Sequence, residues 1–477
     1  MTGLALLGLV MLIVMIGAIF IGFPISFTLL FLALTFGYIG LGDVIFSLAY
    51  FQTIGMMKEE LLAAVPLFIL MGYVTQEAGL MERLFTALRL MLAPIRGSLF
   101  AVVILTATIF AMATGIVGAA VTVLGIMASP IMVKAGYDAR LSAGCITAGG
   151  TLGILIPPSV MLIVMGPVLG VSVADLYAAA VAPGLLLAGI YLAYLLGRAF
   201  VNPKLGPPVP VAERVYTTGA IVKEVVVGVV PLLCLIAAAL GSILIGLATP
   251  TEASGVGALG AILLAAAYRK LSYANFRHAV RATTATSSMV LLLAVTSNIF
   301  GAVFSRLGTA TWITESMLAL PLPPVAMLAV VIVLIFLLGW PFEWPAIVLV
   351  FLPIFYPVMD ALKPELGAAL GISSNWVMVW FGALVAVTLQ TAFLSPPVAM
   401  SAYYLRQVVK EWPLATIYRG MFEFMILQCI AIALLIVFPA IVTSFPEKLR
   451  ADASAEKVEQ IDDSANRLEE DPLKGLR

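Results

Sequence analysis

Two short stretches of the sequence could hold a ligand inside a membrane, TLGILIPPSV at 151–160 and TAFLSPPVAM at 391–400. In each, a proline pair interrupts a long apolar run. Proline lacks a backbone donor and clashes with the preceding helical turn, so each pair is predicted to open a helix. The freed carbonyl groups can coordinate a hard cation such as Na⁺, and the helix N-terminus that follows can face an anion. Two kinks that serve packing alone are the alternative, and the matching of the breaks favours a binding site.

Each half also carries an apolar stretch that is too long for one membrane span, at 98–132 and 324–359, interrupted by glycine or proline. We interpret both as re-entrant hairpins, which enter the membrane and leave it on the same side. The first tip is predicted within MATGIVGAAVT at 112–122 and the second within LGWPFEWPAI at 338–347. Each tip should meet the broken span of its own half and form one of two related cation sites. The small residues could instead serve helix packing.

Two carboxylates stand near these features. Glu343 is the only carboxylate inside a predicted hairpin. An ionisable group at membrane depth indicates function, here a cation ligand or a proton carrier. It could equally lie at the membrane surface, with Trp340 and Trp344 as interfacial anchors. Glu252 is interpreted differently, because the sequence TPTEA predicts a capping box at a helix start in the scaffold.

The composition indicates what kind of protein must position these residues. Of 477 residues, 62% are hydrophobic and only 10% are charged, with a mean hydropathy of +1.14. Soluble domains carry about 25% charged residues. Apolar runs of about 20 residues recur along the chain, and continuous runs of this kind exclude a β-barrel. The predicted fold class is therefore an all-α polytopic protein of the lipid bilayer.

The sequence also excludes several functions. The formal net charge is zero, so nucleic acid is not an expected partner. The chain has no Walker A sequence and no Ser/His/Asp set, and Cys145, Cys234, Cys429 and His278 form no metal-ligand or disulfide pattern. We therefore predict a transporter that is not an enzyme, needs no cofactor and is driven by an ion gradient.

Basic residues set the predicted orientation, because they are enriched on the cytoplasmic side. With the N-terminus outside, the spans and hairpins of the first half are 4–21, 24–41, 60–78, 98–132, 141–168 and 174–197. Those of the second half are 225–247, 250–268, 282–303, 324–359, 374–404 and 420–443. Sixteen basic residues then lie inside, and only Lys58, Arg306 and Lys363 lie outside before the tail. This orientation puts the base of the first hairpin inside and that of the second outside. The halves are therefore predicted to be inverted repeats, each with a re-entrant hairpin and a discontinuous helix.

The remaining segments complete this organisation. Segments too short or too polar to span are predicted to be interfacial helices, at 43–57, 80–94, 271–280 and 309–320. Residues 1–80 would form scaffold helices and an arm, 81–200 one half of a transport domain, 201–281 a cytoplasmic loop and further scaffold helices, and 282–443 the other half of the transport domain. The polar tail at 444–477 is predicted to be disordered or loosely helical.

Three stretches together resemble the large membrane subunit of TRAP transporters, the tripartite ATP-independent periplasmic carriers of bacterial inner membranes. They are GYDARLSAGCITAGGTLGILIPPSVMLIVMG at 136–166, GLATPTEASGVGALG at 246–260 and TAFLSPPVAMSAYYLR at 391–406. The resemblance runs from about residue 4 to 443. It implies an elevator mechanism, in which a transport domain of both hairpins and both broken spans slides against a scaffold of outer helices.

The resemblance further implies Na⁺ as the coupling ion and an organic acid as the imported substrate. Two partners are implied, a small four-helix membrane subunit and a soluble periplasmic protein that delivers the substrate. The N-terminus and the C-terminal tail are both predicted to be periplasmic.

Carried over by position, the resemblance implies two cation sites. The first comprises Thr114, Gly115, Gly149, Gly150, Thr151, Gly153 and Pro157. The second comprises Gly339, Glu343, Gln390, Thr391, Ser395 and Pro396. The substrate is expected to contact Thr114, Gly118, Ser159, Ser395 and Ser401.

This chain departs from the family pattern at two places. Many members carry a Ser-Gly-Ser tip where it has Ala113-Thr114-Gly115, and Thr-Pro-Pro-x-Gly-x-Asn where it has Ser395-Pro-Pro-Val-Ala399-Met-Ser401. A single-component carboxylate or oxyanion transporter of related architecture, which needs no partner, is an alternative in the same class. A membrane subunit of a proton-translocating complex is a more remote alternative. Such a subunit would need a row of ionisable residues buried in the membrane, and Glu343 is the only clear candidate in this sequence.

Overall fold

The computed structural model describes residues 3–208, 218–396 and 399–452, which form helices and connecting turns with no strand among them. Ten helical stretches in this part of the chain are long and apolar enough to cross a membrane. The all-α polytopic class predicted from the composition is confirmed.

The first half contains ten α-helices. They are α1 (Gly3–Ile21), α2 (Ile25–Leu41), α3 (Val44–Met57), α4 (Ala64–Glu77), α5 (Leu80–Leu92), α6 (Ser98–Thr114), α7 (Val117–Lys134), α8 (Ala139–Thr151), α9 (Val160–Leu169) and α10 (Val173–Val201). Two 3₁₀ turns join this order, Glu60–Ala63 before α4 and Leu152–Ile154 after α8.

The second half repeats this order with thirteen described helices. They are α11 (Thr218–Gly228), α12 (Val230–Ile236), α13 (Ser242–Leu244), α14 (Pro250–Ala267), α15 (Tyr273–Arg306), α16 (Thr309–Leu318), α17 (Pro324–Leu338), α18 (Trp344–Ala346), α19 (Leu352–Ala361), α20 (Lys363–Leu370), α21 (Ser374–Leu394), α22 (Met400–Val408) and α23 (Leu414–Val437). Short π-helical turns join α12 to α13 and α18 to α19, and residues 440–452 are helical.

The matched elements of the two halves exchange their packing partners. In the outer helices, α14 packs on α4 while α15 packs on α2, and α11 packs on α5 while α16 packs on α1. In the centre, α10 packs on α21 while α23 packs on α8. Reciprocal contacts of this kind are what a pseudo-two-fold relation between two repeats produces. We call α1–α4 and α11–α16 the scaffold, and α6–α10 with α17–α23 the hairpin core.

The most deeply buried element is α21, in which every residue from Trp376 to Leu394 is buried. A helix that is apolar all round lies inside a protein core, here between α10, α17 and α23. The start of α14 shows how local sequence fixes a boundary. The Thr249 hydroxyl accepts from the amide of Glu252, and the Glu252 carboxylate accepts from the amide of Thr249 at 2.8 Å. The predicted capping box is therefore confirmed.

Both predicted hairpins and both broken spans are present, with two corrections elsewhere. The segment 271–280 is not a separate interfacial helix but the start of α15, which begins after the Ser272 cap and meets no proline before Arg306. The last span begins at Leu414 rather than 420 and ends at Val437. The predicted domain boundary between 281 and 282 thus falls inside α15. Of the predicted tail, residues 444–452 are helical and 453–477 lie outside the described residues.

Ion pairs join residues that the predicted topology places on the same side. Arg140 and Arg198 both contact Glu423, at 3.1 and 3.6 Å, and these residues belong to the predicted inside end. At the predicted outside end, the Arg450 guanidinium donates to Asp175 at 3.0 Å. These pairs connect the ends of helices that are distant in sequence, so they constrain the same arrangement of spans that the basic residues predict.

Candidate functional site

The first hairpin tip meets the first broken span. Gly115 lies between α6 and α7 with a φ of +60°, a conformation that favours glycine. A Cβ atom on Gly115 would lie 3.6 Å from the carbonyl oxygen of Pro158 and 3.9 Å from that of Gly153. The prediction that this tip contacts the broken span of its own half is confirmed. The side chain of Thr114 lies outside the described atoms.

Glycines bring the first broken span close to both arms of its hairpin. A Cβ atom on Gly149 would lie 3.2 Å from the Ala107 side chain of α6, and one on Gly150 only 2.3 Å from the Val121 side chain of α7. Both glycines are therefore required for close packing of α8. Any cation contact that they make has to come from their backbone.

Hydroxyl groups line the first break on both sides. At its start, the Thr151 hydroxyl donates to the carbonyl oxygen of Ala148 at 2.9 Å and keeps its lone pairs. At its end, the Ser159 hydroxyl accepts from the amide of Leu162 at 3.4 Å and caps α9. Tyr177 donates to the Ser159 carbonyl oxygen at 3.3 Å. The break is thus held open by local hydrogen bonds, with Pro157 between the two hydroxyls in the chain.

The second tip meets the second broken span in the same way. A Cβ atom on Gly339 would lie 3.0 Å from the Cβ atom of Ala392, at the end of α21. The prediction for this tip is also confirmed. Unlike Gly115, Gly339 has a helical φ of −63° and ends α17, so here the close approach rather than the backbone conformation requires glycine.

Polar groups cluster where α21 ends. The Thr391 hydroxyl donates to Thr388 at 2.6 Å, and the Ser395 hydroxyl donates to Thr391 at 2.7 Å. The Gln390 amide nitrogen donates to Ala386 at 3.3 Å, while its buried Oε1 atom has no hydrogen-bond partner in the described structure. Pro396 is exposed, and its partner in the proline pair lies outside the described residues.

A cavity of about 450 Å³ lies between the two tips. The hairpin core contributes the first tip from Gly115 to Ala119 and the second from Glu343 to Pro345. The scaffold contributes polar side chains from α4 and α15, namely Tyr73, Gln76 and Thr286. Tyr73 and Thr286 share a hydrogen bond of 3.1 Å between their oxygens. Both hairpins, both broken spans and the scaffold therefore border one space.

Tyr404 connects the two halves inside this cavity. It lies on α22, after the second break, and its ring carbons would be 2.8–3.1 Å from a Cβ atom on Gly118 of the first tip. Glu343 of the second tip lines the same cavity, where it is the only charged side chain among the described lining residues. Trp344 lines the cavity as well, whereas Trp340 is exposed. The geometry thus favours the interior over the membrane surface for Glu343.

The residues expected to contact substrate divide into two groups. Gly118 lines the cavity, whereas Ser159, Ser395 and Ser401 are fully buried behind its lining. Sequence reasoning missed a set of cavity residues on the scaffold and on α22, namely Tyr73, Gln76, Thr286, Tyr404 and Gln407. The sequence feature that could have identified these residues is a polar side chain within an otherwise apolar helix.

The donor atoms at both breaks suit an alkali cation. They are carbonyl, hydroxyl and amide oxygens, and hard cations prefer oxygen ligands in proteins. No group of three His, Cys, Asp or Glu residues occurs in the described ranges, so these oxygens are the candidates. Gln390 Oε1 is a buried acceptor with no hydrogen-bond partner in the described structure. The carbonyl oxygens of Gly153 and Pro158 face the first tip. The residues present therefore fit Na⁺ better than a transition metal.

The sequence is similar to known proteins over most of its length. Residues 10–441 match the family described as tripartite ATP-independent periplasmic transporter, DctM component. The chain is 29% identical over 434 residues to the sialic acid TRAP transporter large permease protein SiaM of Vibrio cholerae, which covers 91% of this chain and 96% of that protein. It is 28% identical over 395 residues to the C4-dicarboxylate TRAP transporter large permease protein DctM of Pseudomonas aeruginosa, covering 81% and 86%.

A solved structure shows the same fold at lower sequence similarity. The YdaH transporter of Alcanivorax borkumensis superimposes with a TM-score of 0.58 over 83% of this chain and 88% of that one, at 17% identity. At this identity the likeness concerns the fold alone.

Proposed function

Because the chain belongs to the family of tripartite ATP-independent periplasmic transporter DctM components, we propose that it imports an organic acid by Na⁺ symport with an elevator motion. It would act as the large permease subunit in the bacterial inner membrane. The named relatives support the substrate class, because sialic acid and C4-dicarboxylates are both organic acids.

The observation that carries this proposal is the meeting of both hairpin tips and both broken spans at one cavity beside the scaffold. Irregular backbone at membrane depth is tolerated where it is buried or lines a cavity. The hairpin core would hold the substrate and move as a unit, and the scaffold would remain fixed. The exchange of partners between α10, α21, α8 and α23 supports one rigid core, because it ties both halves together.

Na⁺ would bind at the two breaks and couple the movement to its gradient. In the first site, the proposal assigns the carbonyl groups of Gly153 and Pro158 and the hydroxyl of Thr151. In the second, it assigns the amide oxygen of Gln390 and the hydroxyl of Thr391. Glu343 lies in the cavity between them, where its carboxylate would contribute negative charge close to both cations.

Two partners complete the proposed transporter. A small membrane subunit would pack on the scaffold, and a periplasmic binding protein would deliver the substrate at the outer face. The N-terminus and the tail would then be periplasmic. Selection among organic acids would rest partly on the binding protein, because the described cavity lining contains no Arg or Lys that would define a carboxylate pocket.

Uptake into proteoliposomes tests the proposal directly. The chain is reconstituted with its small membrane subunit, the binding protein is added outside, and a panel of radiolabelled organic acids is offered with and without an inward Na⁺ gradient. We expect uptake of one acid only when both partners and the gradient are present. Uptake without the binding protein would instead support the single-component alternative, and uptake that ignores Na⁺ would reject the coupling.

A further inference from the structure

One scaffold helix borders two separate cavities. Helix α15 has 34 residues and is about 51 Å long at ~1.5 Å per residue. Its middle part lines the cavity between the tips, through Thr286, Met289 and Val290. Its second half lines another cavity of about 310 Å³, through Ala294, Ser297, Asn298, Gly301 and Ser305. We call the first the tip cavity and the second the outer cavity.

The residues that border the two cavities lie on the same face of α15. Thr286 and Ser297 are eleven positions apart, and so are Val290 and Gly301. Eleven residues are close to three full helical turns, so the two members of each pair point in nearly the same direction. Along the helix axis they are separated by about 16 Å. The two cavities are therefore two positions along one face.

The opposite wall of both cavities is built by the same two elements of the hairpin core. Helix α9 begins at Val160, which lines the tip cavity, and continues to Val168, which lines the outer cavity. The second hairpin arm likewise begins beside the tip cavity at Pro345 and reaches the outer cavity at Ile354. Both elements border the two cavities together with α15, and within the scaffold α9 packs on α4 while the second hairpin arm packs on α15. A translation parallel to α15 would therefore keep them against the scaffold.

One buried hydroxyl in the outer cavity has no partner in this arrangement. Ser297 is 1% exposed, and its Oγ atom makes no hydrogen bond within the described structure. Buried polar atoms in folded proteins nearly always have a partner, so an exception requires an explanation. Its counterpart in the tip cavity, Thr286, is paired with Tyr73. A ligand that reaches Ser297 in a second arrangement would supply the missing partner.

We propose that the face of α15 bearing Ser297, Asn298 and Gly301 is a second substrate station, which receives the two hairpin tips and the organic acid between them after the core has moved along α15. This inference rests on the proposed elevator function and adds the scaffold residues that the substrate meets at the far end of the movement. The hydroxyl of Ser297 and the amide of Asn298 can donate to carboxylate or hydroxyl oxygens of an acid. At this second station they would replace the contacts that Thr286, Tyr73 and Gln76 offer in the tip cavity, which is the first station.

The absence of a side chain at Gly301 fits the same role. A Cβ atom on Gly301 would meet no atom within 4 Å, so packing in the present arrangement does not require glycine there. Glycine costs about 1 kcal/mol relative to alanine inside a helix. A tip that passes or stops at this level would require the free space, whereas a static wall would not.

Paired cysteines test the second station. In a background with Cys145→Ala, Cys234→Ser and Cys429→Ser, Ala119→Cys of the first tip is combined with Val290→Cys or with Gly301→Cys. The control pair combines Ala119→Cys with Leu292→Cys, which lies between the two stations in height but on an exposed face of α15. Each variant is reconstituted with both partner subunits and treated with Hg²⁺ during turnover.

We expect both the Val290 pair and the Gly301 pair to cross-link with a yield about tenfold above the control, because both arrangements are populated. Cross-linking of either pair should stop uptake, and an excess of a dithiol, which removes Hg²⁺ from the cysteine pair, should restore it. If the Gly301 pair stays at the control yield while the Val290 pair cross-links and uptake proceeds, the second station is rejected and the proposed function stands. If wild-type protein with its partners transports no organic acid, the proposed function itself fails.

A second variant decides the question without cross-linking. Gly301→Leu in the otherwise unchanged chain fills the outer cavity and, given the open space around Gly301, should not disturb the fold. We expect uptake to fall about tenfold while the unfolding temperature stays unchanged. Bound substrate should still protect the residues of the tip cavity from chemical labelling to the same degree. The matched control Leu292→Phe should leave uptake within about twofold. Normal uptake by Gly301→Leu would overturn the second station.

Discussion

The two hairpin tips occupy matching places in the fold and differ in chemistry. The first tip turns at Gly115 with a left-handed backbone and faces two carbonyl oxygens of its broken span. The second tip ends its first arm at Gly339 in a helical conformation and carries the carboxylate of Glu343 into the cavity. The first proposed cation site would therefore rely mainly on backbone oxygens and the second on side chains. The repeated topology places the two tips at matching positions, and the local residues determine which ligand atoms each tip offers.

The largest expected effect comes from the first tip. Gly115→Ala places a methyl group in the space between the tip and the carbonyl oxygens of Gly153 and Pro158, where the proposed cation binds. We expect Na⁺-driven uptake to fall about 30-fold, equivalent to about 2 kcal/mol. Initial uptake rates in proteoliposomes measure the effect.

The matched control is Gly136→Ala. Gly136 has a similar φ of +73° but meets no atom within 4 Å, so alanine there carries the same backbone strain of about 1–2 kcal/mol away from any site. We expect its uptake to stay within about twofold of wild type. Equal losses in the two variants would mean that strain alone, and not the space at the tip, explains the effect of Gly115→Ala.

The second tip should depend on its charge rather than on its shape. Glu343→Gln keeps the side-chain volume and removes the only described negative charge that lines the cavity. We expect uptake to fall about tenfold and the dependence on Na⁺ concentration to weaken, because a cation loses a nearby charge. Uptake measured against a series of Na⁺ gradients checks both parts.

Glu252→Gln is the appropriate control, because Gln can retain the capping box of α14 while the same charge is removed from the scaffold. Its uptake should match that of wild type. If Glu343→Gln behaved like this control, the carboxylate would play no part in transport and the contrast between the tips would be one of shape alone.

A smaller effect is expected from the hydroxyls at the two breaks. Thr151→Ala and Thr391→Ala each remove one proposed oxygen ligand. The other proposed ligands stay in place, namely the carbonyls of Gly153 and Pro158 in the first site and the amide oxygen of Gln390 in the second. We expect each variant to raise the half-saturating Na⁺ concentration about fivefold, equivalent to about 1 kcal/mol. The controls are Thr147→Ala and Thr388→Ala, which remove buried hydroxyls one turn before each break. Unchanged Na⁺ dependence in both Thr151→Ala and Thr391→Ala would place the cation sites elsewhere.

The sequence predicted the interruptions better than it predicted their neighbours. Proline and glycine act through the local backbone, so both breaks and both tips could be located from the chain itself. The contact of Tyr404 with Gly118 depends on the packing of one half against the other, which periodicity does not encode. Helix α15 was divided wrongly because its polar first turns resemble an interfacial helix, although nothing in them ends a helix.

Charged residues show the same limit. Arg140 and Arg198 were informative as markers of orientation, since their type alone biases the side of the membrane. Their common partner Glu423 could not be predicted, because it approaches them only when α23 packs on α8 and α10. Residue type thus predicts the side of the membrane on which a loop lies, whereas the contact partners of a charged residue depend on the tertiary arrangement.

The last prediction concerns stability rather than transport and compares the two helices that close the halves. Glu423 of α23 binds Arg140, which lies at the start of α8. Asp175 of α10 binds Arg450. The Arg450 guanidinium also lies 5.0 Å from the ring centre of Trp376, at the start of α21. The two carboxylates therefore perform matching tasks at opposite ends of the core. Glu423 joins α23 directly to the broken span of the other half, whereas Asp175 joins α10 to Arg450, which in turn lies over Trp376 of α21.

Glu423→Gln should destabilise the protein more than Asp175→Asn. Glu423 binds two arginines and also accepts from Tyr194, whereas Asp175 pairs with Arg450, whose side chain is 61% exposed. We expect losses of about 2 and about 1 kcal/mol, measured as lower unfolding temperatures in detergent with Glu411→Gln as the exposed control. In high KCl the Asp175→Asn difference should shrink first, since exposed partners are screened more than buried ones. A larger loss from Asp175→Asn would mean that the Asp175–Arg450 pair, rather than the Glu423 cluster, holds the two repeats together.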